Sequence, residues 1–567
     1  MRRGKRCPGM MEIAFEDGYD DCPFQPSSRD YLMIEPGTAF WQILRGLLLT
    51  SLVAAPLAAQ SGTSRERTPA PRFADPDRVA KLSASFPEID RVFQEYAQRE
   101  HIPGAVWGIV IDGRLAHVGV TGYRDVAAKS PVDSGTVFRI ASMTKSFTAL
   151  AILKLRDQGK LSLDDLAEKW VPELAGLNYP TSDSPRLTIR HLMSHAEGFP
   201  EDNPWGDQQL AVTDEEMSRM MRAGIPFSNA PGVAYEYSNY GFAILGRIVT
   251  KASGMPYRRY ISENILRPLG MTSTTLEPRE VPAGRIAQGY RWEDDQWKLE
   301  PQLPDGAFGS MGGMLTSTRD LGVYVGMFLS AWPPRDGAET GPVKRSALRE
   351  MQQIQRPRPA NVTRASNGTL ALYSGGYGYG LGISGDCNFA HIVAHSGGLP
   401  GFGSLMRWLP EYGVGIIAFG NRTYTGWGGP TNDALGIMLK TGALVPRAVQ
   451  PAPVLEARRQ AVSRLVVQWN DKLADSLAAV NLFLDESRDR RKAGIAKLLS
   501  EVGSCRVGTG FDFVENSLRG NWTMPCDRGA LKVSITLAPT MPPTVQFLQV
   551  WNASVVLPPS RGNCPAS

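Results

Sequence analysis

The chain has 567 residues, 42% of them hydrophobic and 21% charged, with a formal net charge of +5. This length exceeds one ordinary core and predicts two domains, while the composition excludes a collagenous or broadly disordered chain. The small net charge, without a basic stripe or a reading motif, sets nucleic-acid binding aside; the basic cluster Arg488–Lys492, broken by Asp489, reads as a solvated helix face.

In chain order, residues 1–32 read as an upstream extension, because Met33 lies at a suitable distance before an apolar stretch. That stretch, Gly46–Ala59, follows Arg45 and ends in the small residues Ala58 and Ala59. Residues 33–59 therefore match a signal peptide and fall short of the roughly 20 apolar residues of a membrane span. The expectation is an exported protein, periplasmic or secreted, with no integral span after signal removal. Start at Met33 leaves Cys387, Cys505, Cys526 and Cys564 in an oxidising compartment. Four cysteines allow three full pairings, and Cys505–Cys526 is the bridge expected here.

Residues 60–83, rich in Pro, Ser and charge, form a linker. Ile89, Val92, Phe93 and Tyr96 recur at helical spacing. A hairpin follows, Ala105–Ile111 and Arg114–Gly122, turned by Asp112-Gly113, a pair suited to positive φ. A helix begins at Ser142, with Met143, Phe147, Leu150, Ala151 and Leu153 as its apolar face and Gly159 as its stop. From Leu161 to Leu370 the pattern is mixed helix and loop. Strands return at Ile392–Ala394, Ser404–Leu409 and Val414–Phe419, and a helix over Asp433–Leu439 closes the segment. Both chain ends then supply one sheet, giving an α/β sandwich with a helical insertion over residues 84–445. After a second linker, 446–455, residues 456–567 read as a small α+β domain: helical periodicity over Leu455–Leu499, then strands at Leu531–Leu537 and Val545–Trp551.

Ser142-Met-Thr-Lys145 opens a helix, and residues three apart share one helical face, so the lysine amine reaches the serine hydroxyl. A serine hydroxyl is a weak nucleophile without an adjacent base, and a buried lysine with a lowered pKa supplies one. The tetrapeptide alone is weak evidence. Its context is stronger: Tyr237-Ser-Asn239 follows about a hundred residues later, after Pro231-Gly232, and His395-Ser-Gly-Gly398 lies on the first returning strand.

With these three motifs, residues 84–445 resemble the serine β-lactamase and penicillin-binding protein superfamily, in the branch of class C β-lactamases, D-peptidases and esterases. The phrases LTIRHLMSH (Leu187–His195), PGVAYEYSN (Pro231–Asn239), GGMLTSTRD (Gly312–Asp320) and YGLG (Tyr379–Gly382) carry the likeness further. The resemblance implies an antiparallel sheet flanked by terminal helices. It implies Ser142 as nucleophile, Lys145 as its base and Tyr237 as a partner in proton transfer to the leaving group. It places Asn239, His395, Ser396 and Gly397 at the substrate, Gly397 by allowing close approach. The backbone NH groups of Ser142 and Gly398 form the oxyanion hole, and no cofactor or metal is implied.

Two departures stand out. His395 occupies the place where many β-lactamases carry lysine, which weakens the expectation of a β-lactam carboxylate and favours esterase or peptidase activity. Glu197 replaces a small hydroxyl residue, a change expected to tune the cleft rim. The pairs His191/His195 and His391/His395 have zinc-ligand spacing, but neither is followed by a glutamate base. No Gly-x-Ser-x-Gly occurs, which sets aside an α/β-hydrolase. The favoured function is a peptidase or amidase on linear peptides with D- or unusual residues. Its layout is also similar to secreted peptidases acting on linearised cyanobacterial peptides such as microcystin. A carboxylesterase or β-lactamase is the alternative, and a catalytically silent binding or sensor protein the alternative of another class.

Overall fold

In the computed structural model, residues 72–364 and 370–554 are described. The expected extension, signal peptide and Cys564 lie outside them. Among the described residues, no helix is long and apolar enough to cross a membrane.

Nine strands form one antiparallel sheet, in the order Ser130–Pro131, Arg114–Asp125, Gly104–Ile111, Val414–Gly420, Phe402–Leu409, Ile392–Leu399, Gly382–Gly385, Leu370–Tyr377, Arg356–Arg364. The first hairpin forms as its turn residues predict, with φ of 51° at Asp112 and 81° at Gly113. The two chain ends meet where Gly104–Ile111 pairs with Val414–Gly420.

Side chains alternate across the sheet with period two. Trp107, Ile109, Leu405 and Ile416 pack with Phe93 and Met438 of the terminal helices, Phe86–Arg99 and Gly428–Lys440. Val106, Val110, Met406 and Ile417 pack with the interior helices on the opposite face. The fold is thus three layers, with a large antiparallel sheet in the middle and no closed barrel. Each fully buried large side chain stabilises it by about 2–3 kcal/mol.

Three features differ from the sequence expectation. The strand Arg356–Arg364 falls in the stretch read as mixed helix and loop, and Leu370–Tyr377 and Gly382–Gly385 extend the sheet ahead of the first strand expected there, Ile392–Ala394. Ser142 sits in a 3₁₀ turn, Ala141–Met143, that runs into the α-helix Thr144–Asp157. That helix buries all of its faces from Thr144 to Leu153, not one apolar stripe. Its polar groups are paired accordingly, Thr148 Oγ1 donating to Ser310 O at 2.6 Å and Tyr324 OH to Ser146 Oγ at 2.9 Å.

Toward the C-terminus, the helices Pro453–Val467, Asp471–Leu477, Leu482–Asp485 and Arg488–Val502 pack on a four-stranded antiparallel sheet. Leu455, Val462, Trp522, Val533 and Ile535 make a hydrophobic cluster of their own there. The strands Phe513–Asn516 and Arg519–Cys526 join the two expected from sequence. The Cys505–Cys526 disulfide is formed across a separation of 21 residues, and Cys387 is disulfide-bonded as well. Closing a loop of that length stabilises a fold by about 3 kcal/mol in the chain-entropy account.

Candidate active site

The 3₁₀ turn that carries Ser142 is held from both sides. Ala141 takes a positive φ of 49°, a conformation costly for a side chain bearing Cβ. Thr144 Oγ1 donates to Ala141 O at 2.7 Å, and Ser404 Oγ donates to Ile140 O at 2.8 Å. The strand Ile392–Leu399 lies directly against this turn. A Cβ at Gly397 would come within 2.1 Å of Ile140 O and 3.1 Å of Ala141 Cβ. Close approach is therefore the reason for glycine at 397, but the partner is the nucleophile turn, not the substrate. Gly397→Ala is expected to destabilise the protein by about 1–3 kcal/mol, because a backbone oxygen must move. It should also lower kcat; a thermal midpoint and kcat both within error of the parent would refute this packing role.

Lys145 is fully buried one helical turn from Ser142. Its Nζ lies 3.0 Å from Ser142 Oγ, 2.6 Å from Asn239 Oδ1 and 2.9 Å from Met311 O. Burial lowers its pKa from 10.5 to about 7, and the carboxylates of Asp207 and Asp202 oppose that shift. A neutral amine has two hydrogens and one lone pair. Asn239 Oδ1 and Met311 O only accept, so they take both hydrogens. The lone pair is left for the Ser142 hydroxyl.

Asn239 begins the helix Asn239–Ser253, and Asp202 fixes that helix end. Asp202 Oδ1 accepts from Asn239 N at 2.6 Å and Oδ2 from Tyr240 N at 2.9 Å. Asn239 Nδ2 donates to Asn203 Oδ1 at 3.2 Å, which aims its carbonyl at Lys145. Tyr237 precedes this helix, with its ring centroid 4.8 Å from Lys145 Nζ and 6.5 Å from the His395 ring. Burial raises the phenol pKa well above 10, while a hydrogen bond with Ser142 acts in the opposite sense. The phenol is protonated at neutral pH.

His395 Nδ1 lies 2.6 Å from the Ser396 carbonyl, so that nitrogen carries the proton. Nε2 then accepts from Tyr377 OH at 2.9 Å. Burial, and next the Lys145 charge, push the imidazole down to about 3. It is neutral in the working range and supplies no cation to the cleft.

Ser142, Tyr237, His395, Ser396 and Gly398 line one cleft of about 710 Å³. Another cavity, of about 870 Å³, borders the helix Asp214–Ala223 and contains none of the motif residues. Gly382–Ser384 pairs with Ile392–Ala394 and stops there. From His395 onward, that edge of the strand has no strand partner among the described residues.

Four residues of this site escaped the sequence reading: Met311, Asp207, Tyr377 and Arg358. Asp207 and Arg358 line the cleft, and no local pattern marks either of them. Glu197 is not at the rim. It is fully buried, both carboxylate oxygens lack hydrogen-bond partners, and burial raises its pKa well above 4.5. His195 Nδ1 lies 3.8 Å from Glu197 but accepts from Ser238 N at 3.1 Å, and burial lowers the histidine pKa. Both shifts disfavour the charged forms that an ion pair would need. The paired histidines do not converge: His191 Nδ1 accepts from Thr188 N, and His391 contacts Glu411 and Gln352 O.

A family model described as Beta-lactamase matches residues 89–437. The chain is 30% identical over 339 residues to Protein flp of Staphylococcus aureus (strain COL), covering 59% of this chain and 62% of that protein. It is 29% identical over 357 residues to Penicillin-binding protein 4* of Bacillus subtilis (strain 168), covering 59% and 71%. It thus spans less than two thirds of the length of Protein flp. Among solved structures, the octameric penicillin-binding protein homologue from Pyrococcus abyssi shares the fold, with a TM-score of 0.53, 23% identity and coverage of 80% of this chain and 91% of that one. The family model covers more than half of the sequence, and the chain belongs to the beta-lactamase family, within the serine β-lactamase and penicillin-binding protein superfamily.

Proposed function

We propose that the protein is a serine hydrolase that forms an acyl-enzyme at Ser142, and that it acts as a peptidase or amidase on linear peptides, including those with D- or unusual residues. The observation that carries this reading is the bonding of Lys145 Nζ, whose two acceptor-only neighbours leave its lone pair to Ser142 Oγ. Ser142 Oγ attacks the substrate carbonyl carbon as its proton passes to Lys145. The backbone NH groups of Ser142 and Gly398 receive the oxyanion. The C–N bond then breaks, and the leaving nitrogen takes a proton from the Tyr237 phenol, which Lys145 replenishes. Water attacks the ester carbonyl, gives its proton to Lys145, and the C–O bond to Ser142 breaks with return of that proton to Oγ. Asn239 holds the lysine in place through these transfers.

One feature supports a peptide over a β-lactam. The free edge beyond His395 offers backbone groups to an extended chain, as in strand addition. The Cys505–Cys526 disulfide supports export to an oxidising compartment. The test is a panel of linear peptides, D-amino acid amides, p-nitrophenyl esters and nitrocefin, with fluorophosphonate labelling of Ser142. Labelling together with peptide or amide turnover is expected; turnover of esters alone would remove the peptidase reading, and absence of labelling would remove the hydrolase.

The base role has a pH signature. Activity requires the neutral amine, so kcat/KM should fall tenfold per unit as pH drops below about 7. Asn239→Asp places an anion beside Nζ, which favours the ammonium form and should move that acid limb upward by about one unit or more. An unmoved limb would show that Lys145 is not the titrating base.

A further inference from the structure

We propose, resting on the peptidase reading above, that the preferred substrates are short peptides with both ends free, the ammonium at Asp207 and the carboxylate at Arg358. The strand Ile392–Leu399 runs between the two charges. Gly397 lies on the nucleophile turn, so Ser142 stands between the two ends of the segment His395–Gly398.

At the Gly398 end, the Tyr424 ring covers the glycine, with Cδ1 2.7 Å from where a Cβ would stand. Tyr424 OH donates to Asp207 Oδ2 at 3.1 Å. Asp207 lines the cleft at 3% exposure, and its Oδ1 has no hydrogen-bond partner among the described residues. The field of Lys145 reaches it, but that amine is committed to Ser142, Asn239 and Met311. Glu201 lines the same cleft and adds negative charge. A carboxylate so poorly compensated favours an arriving cation, since buried charges persist when paired.

At the His395 end the sign reverses. Tyr377 holds the neutral His395, the Tyr235 ring lies 5.8 Å from Tyr377, and the Arg358 guanidinium stacks 3.8 Å over Tyr235. Arg358 is exposed and lines the cleft, so it is ready for a charge-assisted pair with a carboxylate. Arg407 lines it too, but its guanidinium is turned to Thr431 Oγ1 at 3.0 Å and Gly428 O at 3.4 Å on the terminal helix.

The test uses the full-length protein with tri-D-alanine and tri-L-alanine, each free, N-acetylated or C-amidated. For the wild type, capping either end is expected to lower kcat/KM at least tenfold. Asp207→Asn should bring the free-to-acetylated ratio to within threefold of one, and Arg358→Gln should do so for the free-to-amidated ratio. Each ratio is taken within one protein, so partial misfolding cancels. Capping that leaves the wild-type rate within threefold would overturn the inference alone. So would Asp207→Asn lowering both members of its pair equally, the mark of an effect exerted through Lys145. If no peptide is turned over while Ser142 still takes the fluorophosphonate label, the peptidase reading falls as well.

Discussion

Ser142→Ala is expected to lower kcat/KM by at least about 10⁴-fold on every substrate turned over, about 5.4 kcal/mol in barrier. The cost to the fold is far smaller. Alanine adopts the same turn, and the loss is one hydroxyl and its contact with Lys145, about 1 kcal/mol. An inactive protein that unfolds within a few degrees of the parent and no longer takes a fluorophosphonate label is the predicted outcome. The disparity between the two magnitudes separates a nucleophile from a structural serine. A variant within tenfold of the parent, about 1.4 kcal/mol, would end nucleophilic catalysis by Ser142.

Much of this site is legible in sequence because its chemistry is local. Ser142 and Lys145 are three apart on one element, the Asp112-Gly113 turn declares its hairpin, and the strands Ile392–Leu399 and Val414–Gly420 show their apolar character. The strand Arg356–Arg364 was illegible for a physical reason. Its sequence, RPRPANVTR, lacks alternation and contains two prolines. It is the sheet's last strand, where a missing N–H facing outward costs little. That strand nevertheless brings Arg358 to the cleft. Asp207 and Met311 were equally hidden, because each reaches the site through long-range packing rather than a repeating pattern. The nucleophile helix differs in the other direction: beyond the one apolar face read from its sequence, Thr144, Ser146 and Thr148 are buried and paired as well.

Lys145→Met tests the other half of the machinery and should lower kcat/KM by about 10³-fold, within the range of a positioned base. Methionine is close in length and apolar, so it fills the fully buried volume without importing a charge. It leaves Asn239 Oδ1 and Met311 O without their donor, a penalty of about 1–3 kcal/mol for each unsatisfied group. Reduced stability is therefore expected and does not discriminate between roles. The pH profile does. The parent loses activity below about pH 7 as the amine takes a proton, whereas the variant has no such group and its residual rate should be flat from pH 6 to 8. A variant that keeps the acid limb near 7 would assign the titration to a different group, and Asp207, whose carboxyl pKa is raised by burial and which feels the Lys145 charge, would be the first to examine.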